Sequence, residues 1–282
     1  MNQKRGKDCR AFAVRWMHVP YAHAIIETEM QGGLIMIFYF SGTGNSQAVA
    51  EIIAGELGDT AISIFKRDPS EFNTENEKTI GFVFPCFSYR PPKEVAAFAK
   101  GIDPHNAYTF ALTTFSNKTG NTLERLGEVI RLDCGYGLKM PDNMPVFARD
   151  VETPETAAVK LKNAKERLYG IILPGLKAGF RGIDTDKGDG QENNSPMFRD
   201  IFPIEKESLD TERYYVEDSC ISCGLCEENC PVDAIKLVDG KPVWVKKWCA
   251  SCMACINKCP VEAIQYGEFS KPRMRYVFKG FD

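Results

Sequence analysis

Eight of the eleven cysteines in this chain crowd between Cys220 and Cys259. They form two runs, CISCGLCEENCP and CASCMACINKCP, each spaced C-x2-C-x2-C-x3-C-P, and the second repeats the first after 29 residues. That spacing lets three thiolates from one short stretch surround three irons of a cuboidal 4Fe–4S cluster, and in two-cluster proteins the fourth ligand is the last cysteine of the other run. The expected ligand sets are therefore Cys220, Cys223, Cys226 and Cys259 for one cluster, and Cys249, Cys252, Cys255 and Cys230 for the other. Structural zinc prefers two CxxC halves across a longer loop, and two runs of four cysteines, each ending in proline, fit that poorly. Pro231 and Pro260 turn the chain after the crossing cysteines, while Val232, Ala234, Ile235, Val261, Ala263 and Ile264 supply apolar cover. The duplication predicts two similar halves related by pseudo-twofold symmetry.

A second constellation lies near residue 41. Ser41-Gly42-Thr43-Gly44-Asn45-Ser46 follows an apolar run and precedes a helical pattern. A strand, a glycine-rich loop and a helix N-terminus make an anion site, because free N–H groups and the helix dipole point at one spot. Ser41, Thr43 and Ser46 add hydroxyls. The loop lacks the Gly-Lys-Ser/Thr of a Walker loop and, with Gln47, the third glycine of the dinucleotide fingerprint. A mononucleotide phosphate fits better.

The elements that must hold these residues are legible as alternating apolar runs and amphipathic segments, the pattern of a doubly wound α/β sheet. Strands are expected over Ile35–Phe40, Ala61–Phe65, Ile80–Pro85, Tyr108–Thr114 and Tyr136–Lys139, with helices over Gln47–Leu57, Pro92–Lys100, Thr122–Leu132 and Glu155–Leu176. Five parallel strands result. The expected layout is an N-terminal extension (1–34), an α/β domain (35–180), a linker (181–210) poor in apolar residues, a cluster-binding domain (211–270) and a C-terminal tail (271–282). Gly32-Gly33 precede Met36 as a ribosome-binding sequence would if translated, so Met36 is the expected start of translation.

Composition narrows the function. The formal net charge of −3 and pI near 5.8 provide no basic field for nucleic acid. The longest clean apolar run, Leu34–Phe40, is too short to span a bilayer, and a cytoplasmic protein without membrane insertion is expected. Cys9, Cys86 and Cys134 lack partner spacing and read as incidental thiols, His105 reads as a loop residue, and no hydrolytic triad or HExxH occurs.

FYFSGTGNS, residues 38–46, resembles the phosphate loop of flavodoxins. With the cysteine runs behind it, the chain from Met36 to Tyr276 resembles the flavodoxin–ferredoxin fusions called EFR1 family ferredoxins, including Lys139-Met140-Pro141-Asp142-Asn143 and Arg275-Tyr276. It departs at Met144, where an aromatic would follow. The resemblance implies a flavodoxin-like sheet in the order 2-1-3-4-5, a small α+β domain for two 4Fe–4S clusters, and FMN. It also implies that the loops Pro85–Pro92 and Thr113–Asn121 flank the flavin ring, with Phe87 or Tyr89 on one face, Phe115 on the other, and Thr114 and Gly120 in contact. The function so implied is electron transfer between the clusters and FMN, serving redox partner proteins of an oxidoreductase. Two other classes stay open: a flavin-dependent reductase of a small organic substrate, and a regulatory or structural iron–sulfur protein whose flavodoxin-like domain is cofactor-free.

Overall fold

Unbroken apolar runs suit strands buried on both faces, as in a parallel sheet covered by helices. In the computed structural model, which describes residues 35–146, 152–189 and 210–281, four such runs form β1 (Ile35–Tyr39), β3 (Thr79–Pro85), β4 (Tyr108–Phe115) and β5 (Cys134–Lys139). The extension expected over 1–34, with Cys9, and residues 190–209 of the expected linker lie outside the described residues. Two three-residue strands, β2 (Ala61–Ser63) and β6 (Gly182–Asp184), close the edges. All pair in parallel in the order β2-β1-β3-β4-β5-β6. Its first five positions give the flavodoxin-like order.

The sixth strand corrects the expected five. Gly182–Asp184 falls where a linker was expected, and it pairs with Cys134–Tyr136. Its apolar content is too low to announce a strand; backbone pairing and the ion pair between Arg167 and Asp184 (2.9 Å) hold it.

Side chains along a strand alternate between faces. Met36, Phe38, Phe40, Phe82 and Phe84 enter one core with Val95 and Phe98 of α2 (Lys93–Lys100) and Leu123 and Leu126 of α3 (Thr122–Gly127). Ile37, Val83, Leu112 and Leu138 enter the other with Val49 and Ile53 of α1 (Asn45–Leu57) and Ala164 of α4 (Pro154–Arg167). α4 begins at the proline after Thr153, whose hydroxyl accepts the Thr156 N–H at 3.2 Å, and passes through a π turn at Leu168–Ile172 into α5 (Leu173–Lys177). The connection from β2 to β3 carries a 3-10 turn, Pro69–Glu71. Among the described residues no helix is long and apolar enough to cross a membrane.

Beyond residue 210, β7 (Tyr214–Val216) pairs antiparallel with β10 (Ile264–Tyr266). Between them lie α6 (Leu225–Glu228), the hairpin β8 (Ile235–Val238) with β9 (Lys241–Trp244), and α7 (Ala254–Asn257). The hairpin turns at Asp239-Gly240, both at positive φ (47° and 77°), as its two-residue turn requires. The sequence repeat recurs in the backbone: Ser222 and Ser251 (φ 56° and 53°), Gly224 and Met253 (81° and 61°), and Asp233 and Glu262 (49° and 50°) are left-handed pairs.

Candidate functional site

Left-handed residues between the first three cysteines of each run, Ser222 and Gly224 in one and Ser251 and Met253 in the other, turn the chain so that those three line one hollow. Two small cavities result. One is lined by Cys220, Cys223, Cys226 and Cys259, and the other by Cys230, Cys249, Cys252 and Cys255. These are the two crossed sets expected from the spacing. Backbone N–H groups serve the crossing sulfurs in equivalent fashion, Ala234 to Cys230 Sγ and Ala263 to Cys259 Sγ, both at 3.2 Å. Such bonds stabilise negative charge on cluster sulfur. Among the described residues no three His, Cys, Asp or Glu form a group that could hold a single metal ion. Burial pushes the Cys252 thiol up to about 12 and the Cys226 thiol up to about 11, so metal loading has to displace their protons.

The two cages differ in exposure. Cys223 is exposed and Ile221 beside it is 39% exposed, so the first cage reaches the surface. Cys249 and Cys252 of the second cage are buried.

Ligands of doubly wound folds sit beyond the carboxyl ends of the strands, where the strand order reverses. Here β1 and β3 flank that point, and a cleft of about 280 Å³ opens there. It is walled by Ser41–Thr43, Asn45 and Ser46 after β1, Pro85–Tyr89 after β3, Thr114–Lys118 from β4 and Met140–Met144 after β5. Gly44, at φ 104°, turns the chain into α1. Ser41 Oγ accepts the Gly44 N–H (3.1 Å) and Thr43 Oγ1 accepts from the Asn143 amide (2.7 Å), so both hydroxyl protons remain to be donated. Ser46 Oγ shares a hydrogen bond with Thr114 Oγ1 (2.8 Å). Those hydroxyls and the open end of a 13-residue helix fit a phosphate.

Cys252 joins the two sites. It lines the second cage and also the cleft. A β-carbon on Gly42 would stand 1.8 Å from the Cys252 carbonyl oxygen, so the first loop and the second cysteine run touch backbone to backbone. Ala250, Cys252 and Ala254 belong to the same apolar core as Phe38, Phe40 and Phe98, while Met144 and Val146 pack into the core of the cysteine module.

The structure brings most of the expected cofactor residues together: Ser41, Gly42, Thr43, Asn45, Ser46, Phe87, Tyr89, Thr114 and Phe115 all line the cleft. Two do not. Gly44 lies behind it against Phe278, and Gly120 (φ 54°) serves the turn before α3. Phe87 packs edge-on against Phe40 with ring centroids 6.3 Å apart, and Tyr89 is half-buried. Ser88 and Tyr89 both have positive φ (47° and 65°) in a turn closed by mutual Phe87–Arg90 backbone bonds of 2.9 Å. Strain of this kind gathers at ligand sites. Of the other cleft residues, Lys118 lies in the loop expected to flank the flavin and Met140–Asn143 in the motif noted for its family resemblance, whereas Cys252 was expected only as a cluster ligand.

Residues 219–264 match the family described as a 4Fe-4S dicluster domain. This segment is a dicluster ferredoxin domain. The ferredoxin of Acetoanaerobium sticklandii is 60% identical over 30 residues, 11% of this chain and 54% of that protein. An iron-sulfur component of the CoB–CoM heterodisulfide reductase from Methanopyrus kandleri is 30% identical over 139 residues, 44% of this chain. The chain thus spans only 20% of the reductase component and about half of the ferredoxin. A solved candidate flavoprotein from Bacteroides uniformis aligns with TM-score 0.33 and 18% identity, over 39% of this chain and 92% of its own. The flavodoxin-like assignment of the α/β sheet rests on its strand order.

Proposed function

We propose that this chain is an electron-transfer protein that carries two 4Fe–4S clusters and an FMN, serves a partner oxidoreductase in the cytoplasm, and belongs with the EFR1 family ferredoxins it resembles. The observation that carries the reading is Cys252, a ligand candidate of one cage that also walls the cleft. When bound, the clusters supply one-electron transfer and the flavin links it to two-electron chemistry. The chain's own residues set the order. Cys223 and Ile221 present the outer cage to a redox partner protein, Cys252 presents the inner cage to the cleft, and Ser41–Ser46 hold the phosphate. The proposed domains are a flavin domain over 35–189, a dicluster module over 210–266 and a return segment over 267–281. The test is anaerobic purification with iron, sulfide and released-flavin analysis. Iron and sulfide for two four-iron clusters with one FMN per chain is the expected result; zinc in place of iron overturns it.

A second reading is favoured by the first loop's Ser46, whose hydroxyl is already shared with Thr114 Oγ1. In that reading the α/β domain is flavin-free and the protein is a regulatory or structural ferredoxin. Full iron content without flavin distinguishes it. The reductase reading requires space for a substrate besides the flavin, and a cleft of about 280 Å³ is at the small end for even one ligand.

A further inference from the structure

Two short sequence features, Pro141-Asp142-Asn143 and Arg275-Tyr276, meet in a buried ring of hydrogen bonds. The Tyr276 hydroxyl donates to Asn45 Oδ1 (2.8 Å), and the Asn45 amide donates to the Pro141 carbonyl (3.1 Å). Two residues on, the Asn143 carbonyl accepts from Asn257 Nδ2 (2.9 Å), and Asn257 Oδ1 accepts the Tyr276 N–H (2.9 Å), which closes the ring. Asn257 Nδ2 also donates to the Met253 carbonyl (3.0 Å), next to Cys252. Further out, Asn143 Nδ2 donates to Thr43 Oγ1, and the Phe278 N–H donates to the Thr43 carbonyl (2.9 Å). Arg275 braces the turn by donating to the Ser270 carbonyl (2.6 Å) and Gln265 Oε1 (2.7 Å).

The ring therefore ties four pieces of chain: the first loop, the loop after β5, α7 behind Cys252, and the C-terminal segment. Asn45, Asn257 and Tyr276 are all buried, at 7%, 5% and 7% exposure. Away from water such bonds reinforce one another, and breaking one leaves an unsatisfied partner. Beyond the ring, Phe278 and Phe281 pack onto the core beneath α1 and α4, and Lys165 Nζ donates to the Phe281 carbonyl (3.1 Å). The C-terminal residues, expected to be a tail, act as a return strap across the interface.

We propose that Asn257 and Tyr276 are positioning residues: the C-terminal segment is a clamp that holds Cys252 against the cleft. The electron path is then built once, inside one chain, and needs no docking of mobile domains. The rate part of this claim rests on the electron-transfer reading above; the clamp itself does not.

The test compares the full-length, cluster-loaded protein with its Tyr276→Phe and Phe278→Ala variants, made anaerobically. Amide hydrogen exchange in 42–45 and 252–257 is expected to rise together, by roughly tenfold for the loss of one buried hydrogen bond, with iron and sulfide content unchanged. With a reduced ferredoxin as the source of one-electron equivalents, flavin bleaching is expected to slow at least fivefold while the flavin potential stays in place. Wild-type exchange in both segments overturns the clamp, and raised exchange with an unchanged bleaching rate overturns the positioning role. A preparation without flavin sinks the electron-transfer reading, and the exchange comparison then judges the clamp alone.

Discussion

Gly42→Ala places one methyl group where the first loop meets the second cysteine run. The added carbon would lie 1.8 Å from the Cys252 carbonyl oxygen, 2.8 Å from its carbonyl carbon and 3.1 Å from its β-carbon. Ordinary contact begins at 3.4 Å, so a gap of about 1.6 Å has to open. The obstructing atom is backbone and cannot rotate aside. Ser251 and Met253, on either side of Cys252, are already held at φ 53° and 61°. Overpacking of this kind costs about 1–3 kcal/mol. At about 2–4 °C per kcal/mol for a domain of this size, apparent Tm falls by about 2–12 °C. The assay is thermal unfolding of the anaerobic holoprotein at a fixed scan rate, with Gly55→Ala as the control. Gly55 lies inside α1 with nothing within 4 Å of an added carbon, so that substitution should stabilise by up to about 1 kcal/mol. A Gly42→Ala protein that melts with the wild type and keeps its cofactors would show that the two loops do not touch as described.

Three other outcomes follow from the same geometry. Cys230→Ala removes a ligand from the cage formed by the opposite run, so iron analysis and low-temperature EPR should show loss of the cluster beside the cleft and retention of the one held by Cys220, Cys223, Cys226 and Cys259. Glu152 accepts from Lys160 (2.6 Å), Thr156 and the Asp142 N–H (2.6 Å); burial works to raise its pKa, but these partners outweigh it and hold the carboxyl below the usual 4.5. Its stabilisation is therefore complete above that value and fades as pH falls through the lowered one. Glu152→Gln should lower Tm at neutral pH, with the difference from wild type shrinking in acid; a constant difference would contradict the assignment. Ser88→Gly relieves a left-handed serine (φ 47°) and should raise stability by about 0.5–1 kcal/mol in chemical denaturation, offset partly by the flexibility of the unfolded chain.

The cysteine runs were legible because cluster ligation is local. Gaps of two and three residues dictate the turns, and the left-handed pairs at Ser222 and Ser251 or Asp233 and Glu262 realise in backbone what the repeat announces in letters. The first four long apolar runs and the glycine loop were legible for the same reason: strand periodicity and turn chemistry act within a few residues. β6 was not, because three residues without an apolar run take their conformation from the edge they join. Nor was the partner of Phe87, whose ring packs edge-on against Phe40.

What the sequence alone determined is thus the inventory: two thiolate cages, an anion loop and a doubly wound sheet to carry it. Only tertiary structure decided which cage faces the cleft, that Cys252 walls both, and that Asn45 is bonded to a tyrosine 231 residues away. The physical reason is that a single asparagine or tyrosine has several equivalent partners to choose from. No local pattern selects among them; the apolar burial that presses the dicluster module onto the sheet does.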